Sequence, residues 1–208
     1  MRVLLRAEGL SFSYPGRHVL TMWSAAFEPG LTWLQGPNGS GKSTLLKLLA
    51  GAVPALTGRL QAGAFDSVRQ PLDYRRQVFW CGPGGIAFAH LSATEFFAFM
   101  RSLYPLWDAA AVTTHVAGFG LLPFAAQRLD TLSTGTQRKV WLCAALAAGT
   151  PVVLLDEPTS ALDAACLVYL QQCLARASQA AQQALVVASH DALGATVKVG
   201  AELRLLAV

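Results

Sequence analysis

Charge is scarce in this chain. Only 13% of its 208 residues are Asp, Glu, Lys or Arg, against about a quarter in ordinary globular domains. No run of Lys and Arg is dense enough to track a phosphate backbone, so the net charge of +4 does not imply nucleic acid. A long apolar run is also missing. The best candidate, residues 141–155, is interrupted by Gly149 and Pro151 and falls short of the ~20 residues a bilayer span needs. The N-terminus MRVLLRAEGL lacks a hydrophobic stretch of signal-peptide length, so the chain is expected in the cytoplasm. The four cysteines, Cys81, Cys143, Cys166 and Cys173, show no CxxC spacing. They read as free, buried thiols of a reducing compartment. No internal repeat is visible.

Apolar residues fill the space that charge leaves. They make up 53% of the chain, and mean hydropathy is +0.41. Two readings of that excess stay open: surface hidden against a partner, or an Ala/Leu-rich core. The length fits one domain that hides about 70% of its unfolded surface.

Periodicity orders the chain. Short apolar runs at 3–7, 19–27 and 31–35 are separated by Pro15-Gly16 and Pro29-Gly30 and predict strands. A glycine-rich turn then leads into STLLKLLAGA, a helix with Leu45, Leu46, Leu48 and Leu49 inward. Residues 55–83 read as mixed short strands and loops. The middle of the chain is helical. Ser92 and Glu95 form a capping box, Asp108 caps a second helix ending near Gly118, and TQRKVWLCAALAA is a third. VVLLD (152–156) and ALVVAS (184–189) are continuous apolar runs, expected for strands covered on both faces. Asp163 can cap the helix between them, and AELRLLAV predicts a last strand. Strands alternating with helices imply an α/β fold with a mainly parallel sheet.

Residues 36–43, GPNGSGKS, fit G-x-x-x-x-G-K-[ST] without a mismatch, between a predicted strand and a predicted helix. The residues Gly36, Pro37, Asn38, Gly39, Ser40 and Gly41 let the backbone curl around phosphate oxygens, and the helix start adds positive potential. Lys42 reaches the terminal phosphates, Ser43 ligates Mg²⁺, and Thr44 hydrogen-bonds a phosphate. The metal needs a second acid. Asp156 supplies it at the end of a buried strand, and Glu157 beside it can polarise an attacking water.

One helix upstream of that acid pair lies LSTGTQRKV (132–140). It resembles the signature sequence of ABC (ATP-binding cassette) ATPases, Leu-Ser-Gly-Gly-Gln followed by Gln, Lys or Arg. Leu132, Ser133 and Gly135 match, whereas Thr134 and Thr136 depart from Gly and Gln. Ser133 offers a hydroxyl, Gly135 a bare N–H, and the helix behind them its positive end.

The resemblance extends over essentially the whole chain. It implies a P-loop α/β core with an N-terminal antiparallel β-subdomain and an inserted helical subdomain at about 84–135, all within one nucleotide-binding domain, 1–208. It implies ATP and Mg²⁺, with Tyr14 stacked on adenine, Asp163 of SALD at a dimer contact and His190 as the switch histidine at the γ-phosphate. It further implies that Ser133 to Thr136 serve the site of a second nucleotide-binding subunit, with a homodimer allowed.

A separate transmembrane permease subunit would hold the chain at the inner face of the cytoplasmic membrane. The compact sequence, and "GI" followed by LSATEFF, resemble the ATPases of bacterial exporters of the haem-export and ABC-2 types. The helix 92–104 is a candidate docking surface, because Phe96, Phe97 and Phe99 are not expected to face one core together. The family's glutamine before the helical subdomain is missing. Its slot falls on Gly82 or Pro83, and Gln77 lies earlier, inside a presumed strand. The alternative is a soluble ABC ATPase not coupled to transport.

Overall fold

The computed structural model describes residues 2–83 and 88–206. Two sheets form its frame. In the first, β1 (Leu5–Tyr14), β2 (Arg17–Phe27), β4 (Thr57–Ala62) and β5 (Phe65–Asp66) pair antiparallel in the order β2-β1-β4-β5. In the second, β3 (Gly30–Gln35), β6 (Val78–Cys81), β7 (Val152–Asp156), β8 (Ala184–Ala188) and β9 (Ala201–Arg204) run parallel in the order β6-β7-β8-β3-β9. The expected α/β fold with an N-terminal antiparallel sheet is therefore present.

The central strands β7 and β8 are buried at every position. Alternation explains why they are apolar throughout. Leu31, Val153, Leu155, Leu185 and Val187 enter a core beneath the helices, whereas Leu34, Val152, Leu154, Val186 and Ala188 enter a second core shared with the antiparallel sheet. Period-2 geometry sends neighbours to opposite faces, and here both faces are covered.

Helix α1 (Lys42–Leu49) buries Leu45, Leu46, Leu48 and Leu49 in the second core. Helices α3 (Ala93–Leu103), α4 (Ala109–Gly118), α5 (Thr134–Ala147) and α6 (Ala164–Ala180) cover the first. Ser92 and Glu95 close the expected capping box, Asp108 and Asp163 cap α4 and α6 as expected, and Ser133 caps α5. All four cysteines are free and buried. No helix among the described residues is long and apolar enough to cross a membrane.

Three expectations change. Residues 71–77 are not loop or strand but a helix, α2 (Pro71–Gln77). It is too short to show helical periodicity, and proline at its first position starts it. Its Tyr74 is wholly buried and donates to the Leu49 carbonyl at 2.6 Å. Gln77 is thus the last residue of a helix, at the start of β6 and the far end of that strand from Gly82. The three phenylalanines do find one core: Phe96 and Phe97 are buried in it, and Phe99 packs half-buried against it, 4.8 Å from the Phe88 ring. Tilting of the rings lets adjacent helix positions reach the same apolar mass, which removes the sequence argument for a docking surface on α3. The Gly85-Ile86 pair lies outside the described residues.

Candidate functional site

Strand β3 ends at Gln35, and the chain turns through residues 36–41 into α1. Gly41 is the N-cap of that helix with φ 97°, a left-handed conformation. A Cβ there would lie 2.6 Å from Val19 Cγ1, so both backbone angle and space require glycine. The Lys42 ammonium, though only 6% exposed, is held inside the loop. It donates to the Gly36 carbonyl at 2.8 Å and the Pro37 carbonyl at 3.3 Å, and stands 3.4 Å from His190 Nε2. The first N–H groups of α1 have no intrahelical acceptor, which makes this end an anion seat.

The parallel order sets β7 and β8 beside β3, so their C-terminal ends meet the loop. Asp156 closes β7 with no exposed surface, and neither carboxylate oxygen has a hydrogen-bond partner among the described residues. Burial raises its pKa above the ordinary carboxylate value, opposed by the Ser43 hydroxyl and by the charges of Arg138 and Lys42.

Glu157 turns the chain out of the sheet at φ 47°, rare for a residue with a side chain. The peptide is pinned. Its N–H donates to the Ala188 carbonyl at 2.8 Å, and its carbonyl accepts from Ser160 N–H at 3.1 Å and Arg138 Nη2 at 2.7 Å. The carboxylate meets His190: Oε2 accepts from the His190 N–H at 3.4 Å, and Oε1 lies 3.3 Å from Nε2. Strain at such a position is commonly found where a side chain must be aimed.

These groups line one cavity of about 460 Å³ with Tyr14, Arg17, Asn38, Gly39, Ser43, Thr44 and Ser160. Tyr14 stands at its mouth, 42% exposed, with its hydroxyl 3.4 Å from Thr44 Oγ1 and its ring edge-on to Phe12. The structure therefore gathers Tyr14, the phosphate loop, Glu157 and His190, with Asp156 beneath them.

Residues 133–136 are not among those lining the cavity. Ser133 caps α5 by accepting from the Thr136 N–H at 3.2 Å, and its hydroxyl is 2.9 Å from Thr136 Oγ1. Gly135 presses on the SALD loop, where a Cβ would come within 2.5 Å of the Ala161 carbonyl oxygen. Asp163 caps α6 and accepts from Lys139 at 2.6 Å, contacts that hold its carboxyl below the usual range.

Three residues of this neighbourhood were not singled out from the sequence. Arg17 donates to the Gly39 carbonyl, but a lone arginine in a turn matches no motif. Ser160 sits in SALD, where only the acid stood out. Arg138 follows the signature segment where any Gln, Lys or Arg fits the pattern, and it is 6% exposed. At the family's glutamine slot the structure offers backbone instead: the Gly82 carbonyl accepts from Arg138.

A phosphate loop, an acid pair ending a buried strand and a histidine from the next strand define a P-loop nucleoside triphosphatase. The family profile described as ABC transporter matches residues 23–160. A cytochrome c biogenesis ATP-binding export protein of Rhodospirillum rubrum is 37% identical over 81% of this chain and 72% of its own length. A thiamine import ATP-binding protein of Chelativorans is 30% identical over 90% of this chain and 77% of its own. A solved ATP-binding subunit of an ABC transporter superposes with TM-score 0.81 at 22% identity, covering 90% of this chain and 79% of that one. A putative ABC transporter ATP-binding protein from Pyrococcus furiosus gives 0.76 at 22% identity, over 97% and 96%. The chain belongs to the ABC transporter family, whose ATP-binding subunits work with separate transmembrane subunits. It is the ATP-binding, ATP-hydrolysing subunit of a transporter.

Proposed function

We propose that two copies of this chain close head-to-tail over two ATP molecules and that the closure drives export through the transmembrane subunit. One observation carries the reading. Lys42, Glu157 and His190 converge on one cavity, with Asp156 beneath it, while Ser133 to Thr136 open α5 outside that lining. A site with its signature half missing is completed by a second copy, which would contribute Ser133 and Gly135, with Asp163 near the contact.

In this reading Tyr14 stacks on the adenine, and residues Gly36 to Thr44 hold the phosphates. The buried, unpartnered Asp156 and the Ser43 hydroxyl fit a hard cation that takes oxygen donors and keeps waters. They would hold Mg²⁺, which when bound neutralises phosphate charge. Lys42 leaves its loop carbonyls for the terminal phosphate oxygens. Glu157 orients the attacking water and accepts its proton, and His190 beside it holds the γ-phosphate. Residues 1–208 act as one nucleotide-binding domain with its helical subdomain at about 84–135.

Export is supported by the likeness to the Rhodospirillum rubrum export protein. Import is the second reading, favoured by the Chelativorans relative. The expected location is the inner face of the cytoplasmic membrane, through the partner.

Pairing is tested with Glu157→Gln, which should bind ATP and turn it over only at a slow residual rate. Light scattering after gel filtration should give a dimer with ATP and a monomer without it, and Lys42→Ala in the same background should abolish the dimer. A monomer at saturating ATP sinks the pairing. Copurification from detergent-solubilised membranes supplies the transmembrane subunit. Inverted vesicles carrying the pair should load solute on ATP if the direction is export.

A further inference from the structure

The fold buries a cation that meets no carboxylate among the described residues. Arg138, on the second turn of α5, is 6% exposed, and its guanidinium turns toward the ends of two adjacent strands. Nη1 donates to the Gly82 carbonyl and lies 3.7 Å from Cys81 Sγ, at the end of β6. Nη2 donates to the Asp156 carbonyl and, at 2.7 Å, to the Glu157 carbonyl, at the end of β7. Burying an arginine is costly, and Nε finds no partner among the described residues. An apolar residue would serve the core better. What the planar fork supplies is simultaneous reach to several carbonyls in fixed directions, which lysine cannot match.

The carbonyls it grips are not arbitrary. They belong to the two peptides that place Asp156 and Glu157, the second of them held at φ 47°. The Glu157 side chain leaves from that pinned peptide toward His190. Gly82 has no side chain to reach across to the acid pair, and it is the Gly82 carbonyl that Arg138 ties to them. The same helix is capped by Ser133, five residues earlier, so the clamp joins the signature end of α5 to the peptide that carries the proposed water-orienting carboxylate.

We propose that Arg138 is a positioning residue for hydrolysis: it fixes the Asp156–Glu157 turn against Gly82 and so aims the Glu157 carboxylate. This rests on the role proposed for Glu157. Arg138 is not expected to touch ATP.

The full-length chain is compared as wild type, Arg138→Lys, Arg138→Met, Glu157→Gln and the Arg138→Met/Glu157→Gln double variant. Expected are a kcat lowered about 100-fold in Arg138→Met, as for a misplaced catalytic group, with KM and fluorescent-ATP affinity unchanged. Arg138→Lys should fall between the two. In the Glu157→Gln background, Arg138→Met should cost nothing more, because the carboxylate it aims is already gone. A kcat within twofold of wild type in folded Arg138→Met overturns the proposal, as does a full further loss in the double variant. If Arg138→Met does not fold, Arg138→Lys decides: wild-type kcat overturns it, and a lowered kcat with unchanged ATP affinity supports it. Active wild type with active Glu157→Gln would instead remove the parent assignment of Glu157.

Discussion

The phosphate-loop end of the parallel sheet and the start of α5 are built on opposite plans. At the loop, charge is buried and cross-linked: Lys42 donates to two carbonyls, and Asp156 has no exposed surface. At α5, Ser133 and Thr134 are exposed, and the Ser133 hydroxyl bonds only locally, to Thr136, closing the helix cap. Motif quality follows. Residues 36–43 fit their pattern without a mismatch, whereas Thr134 and Thr136 depart from theirs. A loop that must wrap phosphates with its own backbone tolerates few side chains. The proposed role of the α5 start, a hydroxyl and an N–H offered to a second copy, would tolerate more, as long as the donors remain.

The widest test of that contrast is to disable each half separately. Lys42→Ala should abolish measurable ATP binding by the isolated chain and lower kcat/KM by at least about 1,000-fold, the scale of a lost charge clamp on a transferring phosphoryl group. Ser133→Ala should leave ATP binding by the isolated chain intact and lower hydrolysis, with a helix-cap cost of about 1 kcal/mol. Equilibrium binding and steady-state hydrolysis read the two. Equal loss of binding in both variants would erase the division between the halves.

A smaller effect probes the one place where the signature end is tightly constrained. Gly135→Ala puts a methyl within 2.5 Å of the Ala161 carbonyl oxygen, and backbone must give way. Overpacking of this kind costs about 1–3 kcal/mol. Thermal melting should show it, and hydrolysis should fall more than ATP binding does. Unchanged melting and turnover would mean that the SALD loop yields freely.

The smallest effect has the opposite sign. Burial raises the Asp156 pKa, so its contribution to stability is full below the unfolded-state value and is lost as pH rises through the raised folded value. Asp156→Asn removes that loss. Without metal or nucleotide its Tm at neutral pH should exceed wild type by a few degrees, at about 2–4 °C per kcal/mol. The difference should vanish toward low pH, and Mg²⁺-dependent hydrolysis should be lost. A lower Tm at neutral pH would contradict the assignment of Asp156 as a buried, unpartnered acid.

Much of this was legible because it depends on neighbours in sequence. The strands 152–156 and 184–188 announce themselves as unbroken apolar runs, the caps at Ser92, Asp108 and Asp163 as side chains placed one residue before a helix, and the loop as eight consecutive residues. The helix Pro71–Gln77 was hidden because seven residues make too little periodicity, and what stabilises it is the tertiary bond from Tyr74 to Leu49. The phenylalanines of α3 were misjudged because helical spacing gives directions but not the shape of the core they meet.

The chain by itself determined the family, the positions of the loop and of the acid pair at the ends of their strands, and the alternation of strands and helices. Each of these is written in adjacent residues whose backbone geometry or period is local. Only the tertiary structure decided that Arg138 turns inward to bind Gly82, Asp156 and Glu157, that Arg17 reaches Gly39, and that Lys42 and Glu157 both meet His190. Those contacts join residues far apart in sequence. Parallel strand order, not any motif, brings the ends of β3, β6, β7 and β8 to the same edge of the sheet.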